Sequence, residues 1–244
     1  MSVRGGPTFA SVLRGSSPRL YIDPRNPLSN GGSAQINGFS TLNAANLNLT
    51  FEGGCGYAVN AVNNVIGDLE LKSGRIYNIS NTGWYGNMTM CWWMKYIGAI
   101  SNAYFYMEAN RGPSGCSRIY SLINANGTFT FQVWDNSNYS ATGVGNITTT
   151  STTNVCDGKW YYICCRWQNS SPAGMYIFVN GVQEGYTACV GNDGAYESLM
   201  LGGSYGCAGT VTHNCYLGPI HSFNSALSTT EIVYNYNVFK YRYR

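Results

Sequence analysis

His213 and His221 are the only two histidines in this 244-residue chain, and histidine is the side chain that ordinarily changes charge near neutral pH. His221 is followed by Ser222 and, ten positions on, by Glu231, so a Ser-His-acid hydrolytic triad is the first chemistry to weigh. Consecutive residues of a strand face opposite sides, which keeps His221 from Ser222, and no G-x-S-x-G elbow offers another nucleophile. His221 therefore reads as a strand residue with a satisfied ring nitrogen. Glycoside hydrolysis needs two carboxylates flanking one bond. The 11 acidic residues contain no E-x-D or E-x-x-x-E arrangement, and the sequence predicts no catalytic residue.

Metal chemistry fares no better. Cys189, Cys207, His213 and Cys215 are zinc-ligand types without a C-x-x-C knuckle, and they read as small buried thiols. Asp135, Asp157 and Asp193 sit in Gly/Asn-rich turns where oxygen ligands for calcium would come from, but no D-x-D-x-D-G run joins them, so solvated turns are expected. No metal site and no cofactor is expected, calcium being the one ion with candidate ligands. Nine cysteines leave at least one unpaired, and Cys164 and Cys165, adjacent on a strand, point to opposite faces.

Binding residues are more plentiful. Sugars are recognised by exposed aromatic platforms beside planar polar groups, and the loop candidates are Trp84 and Tyr85 in NTGWYGN, Trp134 with Asp135 and Asn136, Tyr139, and Tyr205. Packing against loops or a neighbour is the competing use of the same rings. The cations cluster at the chain ends: Arg4, Arg14, Arg19 and Arg25 near the start, and Lys240, Arg242 and Arg244 interleaved with Tyr241 and Tyr243 in FKYRYR. They are either solvated ends or partner contacts. A net charge of +3 argues against nucleic-acid binding over the whole surface. No apolar run is long enough for a membrane helix, and the first residues lack the apolar core and cleavage site of a secretory leader.

These residues must be held by strands. Charged residues are 10% and aromatics 14% of the chain, with 20 Tyr, a mix that favours strands and turns over helices. LNLTFEGG and FTFQVW (129–134) alternate, the second with one wet face, whereas MTMCWWMKYI (88–97) and KWYYICCRW (159–167) are apolar on both faces, as central strands are. MYIFVNGVQEGY (175–186) reads as a hairpin turning at Asn180-Gly181. One helix is expected, capped by Ser228 with Glu231 as its capping-box partner. Residues 1–19 read as an extended arm held by a neighbouring subunit and dispensable for the fold, 20–236 as one domain, and 237–244 as a basic aromatic tail.

In order along the chain, Leu20–Asp23 with Asn26, Leu49–Gly53 (LTFEG), Met88–Lys95, Gly158–Trp160 with Tyr176–Gly181, Leu201-Gly202, and Leu217–Ile232 resemble the motifs of laminin-G-like, or concanavalin-A-like, jelly-roll domains, in the divergent versions found on viral and phage particles and on bacterial surface proteins. Glu52 and Asn180 stand where that family usually has Asp. The resemblance implies an all-β, two-sheet antiparallel jelly-roll sandwich with one short C-terminal helix. It implies a non-enzymatic structural protein of a virus particle, such as a minor capsid, cement or decoration, or fibre-associated protein residing in the virion. Its partners would be other virion proteins or copies of itself, with outward apolar faces seated on neighbours and the two ends clasping adjacent chains. The alternative is a secreted or surface-displayed lectin that binds glycans through the Trp/Tyr loops.

Overall fold

The computed structural model describes residues 13–15, 18, 20–25, 35–40, 46–52, 56–60, 65–72, 75–78, 87–97, 103–109, 118–134, 146–189, 198–202 and 214–243. Its strands are β1 (Leu20–Ile22), β2 (Gln35–Ser40), β3 (Asn46–Glu52), β4 (Gly56–Asn60), β5 (Val65–Lys72), β6 (Arg75–Asn78), β7 (Met88–Tyr96) and β8 (Ala103–Ala109). They continue as β9 (Arg118–Ile123), β10 (Phe129–Trp134), β11 (Asn146–Thr150), β12 (Trp160–Gln168), β13 (Gly174–Val179), β14 (Val182–Ala188), β15 (Ser198–Leu201) and β16 (Asn214–Phe223). One helix, α1 (Thr229–Phe239), and a 3-10 turn (Lys240–Arg242) end the described chain. No helix among the described residues is long and apolar enough to cross a membrane.

All pairings are antiparallel, and the ladder runs β11-β10-β9-β8-β15-β6-β3-β2-β1-β16-β7-β12-β13-β14, with β5 on the β16 edge and β4 on β5. The ladder folds over on itself into two stacked sheets. Thr187 Oγ1 of β14 donates to Thr148 O of β11 at 2.7 Å, and the rings of Trp92 on β7 and Phe129 on β10 meet at 5.5 Å across the core. This is the jelly-roll sandwich that the sequence predicts.

Side chains alternate along a strand, so a strand apolar throughout must bury both faces. On β7, Met88, Met90, Trp92 and Met94 enter the inter-sheet core, while Cys91 and Trp93 join a second cluster on the far side. Strand β12 divides in the same way, with Ile163, Cys165 and Trp167 inside and Tyr162 and Cys164 outside. The opposed placement of Cys164 and Cys165 follows the expected alternation. In β16 the register shifts between Leu217 and Ile220, across Gly218-Pro219. The shift changes parity, so Cys215, Leu217 and Ile220 all point inward while His221 and Phe223 lie on the far side.

What covers that second face is the chain itself, which corrects the expectation that outward apolar faces sit on neighbouring subunits. Helix α1 lays Ile232 and Phe239 onto it, and Leu13, Leu227 and Tyr243 complete the cover. The structure is thus sheet, sheet and helical lid. The capping box forms as read: Ser228 Oγ accepts from Glu231 N at 3.3 Å, and Ser228 N donates to Glu231 Oε2 at 2.7 Å. The lid also holds the arm. Asn235, fully buried, accepts from Arg14 N at 2.8 Å and donates to Arg14 O at 3.1 Å, as a strand neighbour would. Residues 13 and 14, inside the stretch read as an arm, are therefore held against the folded body. The tail boundary at 236/237 likewise falls inside α1.

Two local readings are sharpened. Asn180 (φ 52°) and Gly181 (φ 82°) make the left-handed pair of a tight turn between β13 and β14. The face of FTFQVW expected to be wet is partly covered, because Thr130 is buried and its hydroxyl is shared with Asn124 Nδ2 (2.8 Å) and Thr150 Oγ1 (2.9 Å).

The lid makes a direct prediction. Phe239→Ala, at a position with no exposed surface, is expected to lower stability by about 3–5 kcal/mol in urea denaturation. Tyr241→Ala, 72% exposed, is expected to change it by no more than about 0.5 kcal/mol.

Candidate functional site

Residues 21–25 and residues 242–243 meet at a cluster of paired charges. Asp23, directly after β1, accepts both guanidinium nitrogens of Arg242, at 2.8 and 3.0 Å, and the hydroxyl of Tyr21 at 3.3 Å. Asp68 on β5 accepts Arg25 Nε at 2.9 Å, Arg25 Nη2 at 2.6 Å and the Tyr243 hydroxyl at 3.1 Å. The Arg25 guanidinium also lies over the Tyr243 ring, 4.7 Å from its centroid. Two carboxylates and two guanidiniums balance, in bidentate geometry that suits burial. Burial and the neighbouring Asp68 carboxylate push the Tyr243 phenol well above its ordinary value, so it stays a neutral donor.

Tyr243 reaches this position because Gly218 has no side chain. A Cβ at Gly218 would lie 2.6 Å from the Tyr243 hydroxyl and 2.9 Å from Trp93 Cβ. The Tyr243 ring stacks on Trp93 at 4.9 Å and tilts onto Trp160 at 4.6 Å. Of the tail residues read as partner contacts, Arg242 and Tyr243 are thus turned inward to close the fold. The physical reason is the pair of carboxylates buried beneath them. Tyr241 is exposed and Lys240 half-buried. Arg4, Arg19 and Arg244 lie outside the described residues.

Arg14, Lys240 and Tyr241 border the outer face of α1. That face presents Thr229, Thr230, Val233 and Tyr234, and Val233 abuts Gly181, next to Val182, which is 64% exposed. The Arg14 guanidinium lies 4.9 Å from the Tyr234 ring centroid, and Lys240 Nζ lies 5.4 Å from that of Tyr241. Glu231, an acid of α1, is spent on the cap. A solvated helix face normally carries Glu and Lys, whereas this one carries two threonines, a valine and a tyrosine, with cations at its rim.

Beneath the lid, Tyr162 and His221 share a hydrogen bond between Oη and Nε2 at 2.9 Å, while His221 Nδ1 has no hydrogen-bond partner among the described residues. One ring nitrogen is satisfied and the other is not. Ser222 belongs to the opposite side of β16, as alternation requires. Sequence reasoning passed over Asp68-Leu69-Glu70, where two acids alternate on β5; the Asp68 carboxylate is occupied by Arg25 and Tyr243. It also missed Asp23, Arg25 and Gly218 as the partners of the tail. Only the pairing of β1 and β5 with β16 brings them together.

Among the glycan candidates, Trp134 ends β10, opposite Arg118 and Asn146. Trp84, Tyr85, Asp135, Asn136, Tyr139 and Tyr205 lie outside the described residues. Of the calcium candidates, Asp157 caps its own turn, accepting from Lys159 N at 3.0 Å and pairing with the Lys159 ammonium. Asp193 lies outside the described residues, as do Cys207 and His213. No group of three potential metal ligands occurs among the described residues.

Removing one partner of a buried pair strands the other. Arg242→Ala is expected to cost about 3 kcal/mol. Asp23→Asn combined with Arg242→Ala is expected to recover part of that loss, a coupling that thermal unfolding of the two variants measures.

A family profile described as the concanavalin A-like lectin/glucanases superfamily matches residues 73–233. No curated protein matches the sequence. Solved structures are similar in fold. The botulinum neurotoxin serotype D/C binding domain superposes with a TM-score of 0.64 at 15% identity, covering 92% of this chain and 53% of that one. A type C neurotoxin whose passage into cells is dependent upon interaction with two ganglioside molecules gives 0.64 at 14% identity, over 95% and 53%. The serotype G binding domain gives 0.58 at 15%, over 91% and 51%. The chain spans about half the length of these solved chains. The matched segment holds strands β6 to β16, the hairpin at Asn180-Gly181 and the capped start of the closing helix, and the chain belongs to the concanavalin A-like lectin/glucanases superfamily, in its laminin-G group.

Proposed function

We propose that this chain is a non-enzymatic binding module that acts by surface contact, as a structural component of a virus particle of the minor capsid, cement or decoration, or fibre-associated kind. The observation that carries the reading is the outer face of α1. Val182, Val233, Tyr234 and Tyr241 are exposed there, beside Arg14 and Lys240. Tyr and Arg anchors around an apolar centre are the composition of protein interfaces. The body behind the face is closed by the chain's own ends, which makes it a rigid platform for such a contact.

Glycan binding is a second reading, favoured by the similarity to neurotoxin binding domains, one of which is described as interacting with gangliosides. On this reading Trp84, Tyr85, Trp134 and Tyr205 supply stacking platforms, with Asp135, Asn136 and Tyr139 as polar partners.

Peptide mass spectrometry of gradient-purified particles is expected to find the chain, and Lys240→Ala combined with Tyr241→Ala is expected to reduce its incorporation about tenfold with an unchanged thermal midpoint. Equal incorporation of the variant would remove the α1 face from the reading. Absence of the wild-type chain from the particles would remove the virion role. Retention on a glycan array, lost in Trp84→Ala, would support the second reading instead.

A further inference from the structure

Six of the cysteines are described, and Cys91 and Cys164 are both free thiols. These two face each other. Cys164 of β12 is directly opposite Cys91 of β7, and Cys91 is directly opposite His221 of β16. Both thiols are fully buried in the cluster beneath the lid, on the same side of the sheet. Directly opposed residues of antiparallel strands have Cα atoms about 4.5–5.5 Å apart, within the span of about 4.4–6.8 Å that a disulfide bridges. The remaining described thiols lack this arrangement. Cys165 has Met90 and Ile177 opposite it, and Cys215 has Tyr96 and Leu71.

We propose that Cys91 and Cys164 form a reversible disulfide staple between the two central strands, made by a hydroperoxide that reaches them when the α1 lid opens. Cys91 sulfur attacks the peroxide oxygen and becomes a sulfenic acid, the O–O bond breaks, and the thiol proton leaves with the departing oxygen as water or an alcohol. The Cys164 thiol then attacks the Cys91 sulfur, the S–O bond breaks, and the hydroxyl leaves as water with the Cys164 proton. Two electrons pass from the two sulfurs to the peroxide, and two equivalents of a small thiol later reduce the bond by exchange, leaving as their own disulfide.

The surroundings assign the two roles. Burial opposes ionisation of Cys91, but the hydrogen bond from Cys164 and the adjacent His221 ring outweigh it and draw its pKa below the ordinary thiol value. Cys164 is pushed well above that value by burial and by Cys91, which suits a resolving thiol that keeps its proton until it attacks. Two other described thiols are poor nucleophiles at neutral pH: burial raises Cys189 to about 11, and burial with Asp157 raises Cys156 to about 11.

The lid controls access. Cys91 and Cys164 are buried in one cluster with Ile232 and Phe239 of α1, and the tail is pinned by Arg242 on Asp23. Loosening that pin exposes the pair without altering it.

The test treats the folded chain with hydrogen peroxide, quenches it with iodoacetamide, and maps peptides without reduction. The expected result is one peptide pair joining Cys91 to Cys164, lighter by two hydrogens than the sum of its reduced halves and separated by dithiothreitol. It should form severalfold faster in Arg242→Ala and be lost in Cys91→Ser and in Cys164→Ser. The oxidised wild type should melt roughly 5 °C above the reduced protein. If both thiols remain alkylatable in wild type and in Arg242→Ala after the other cysteines have oxidised, the staple is overturned. A bond that forms with no change in melting overturns its role as a staple. Both measurements on the wild type stand even where a serine variant fails to fold.

Discussion

Everything outside the inter-sheet core depends on the burial of a second apolar face on the central strands. Strand alternation places Trp92 and Met94 between the sheets and, with equal necessity, Cys91 and Trp93 on the side away from them. A sandwich with Trp93, Tyr162 and Phe178 facing water would forfeit roughly 2 kcal/mol for each of these large side chains. Helix α1 and the residues after it meet that constraint. The paired charges then fix where the cover ends, because Asp23 and Asp68, both buried, require cationic partners, and Arg242 and Arg25 supply them.

How much of this was legible in the sequence follows from the range of each interaction. The hairpin at Asn180-Gly181, the Ser228/Glu231 cap and the two-faced character of residues 88–97 and 159–167 are local signals, and each appears in the structure within a residue or two of its predicted place. The identity of the cover was not local. An apolar face reads the same in sequence whether a neighbour or the chain's own terminus covers it. The deciding contacts, such as Arg242 on Asp23 and Arg14 on Asn235, join residues more than two hundred positions apart. The parity change at Gly218-Pro219 was equally hidden, although a glycine beside a proline within a strand is the kind of signal that marks a bulge.

His221 illustrates the same division at one residue. Its type and its neighbours in sequence suggested catalysis; its position in a strand argued against it, and the fold gives it a third setting. It sits in a row with Cys91 and Cys164 and shares a hydrogen bond with Tyr162, beneath Phe239. None of these partners lies within fifty positions of it except Phe239. Long-range strand pairing, rather than any motif, creates that environment.

The lid also joins features that look separate. Its inner side covers the thiol row, its outer side carries Val233 and Tyr234, and its end is fixed by Arg242 and Tyr243. Anything that binds the outer side in its folded form holds the inner side closed by the same free energy, since ligation of one state shifts the equilibrium toward that state. The two sides of an eleven-residue helix are therefore linked without any change of shape, and that binding free energy adds to the closing contribution of the ion pair Arg242–Asp23.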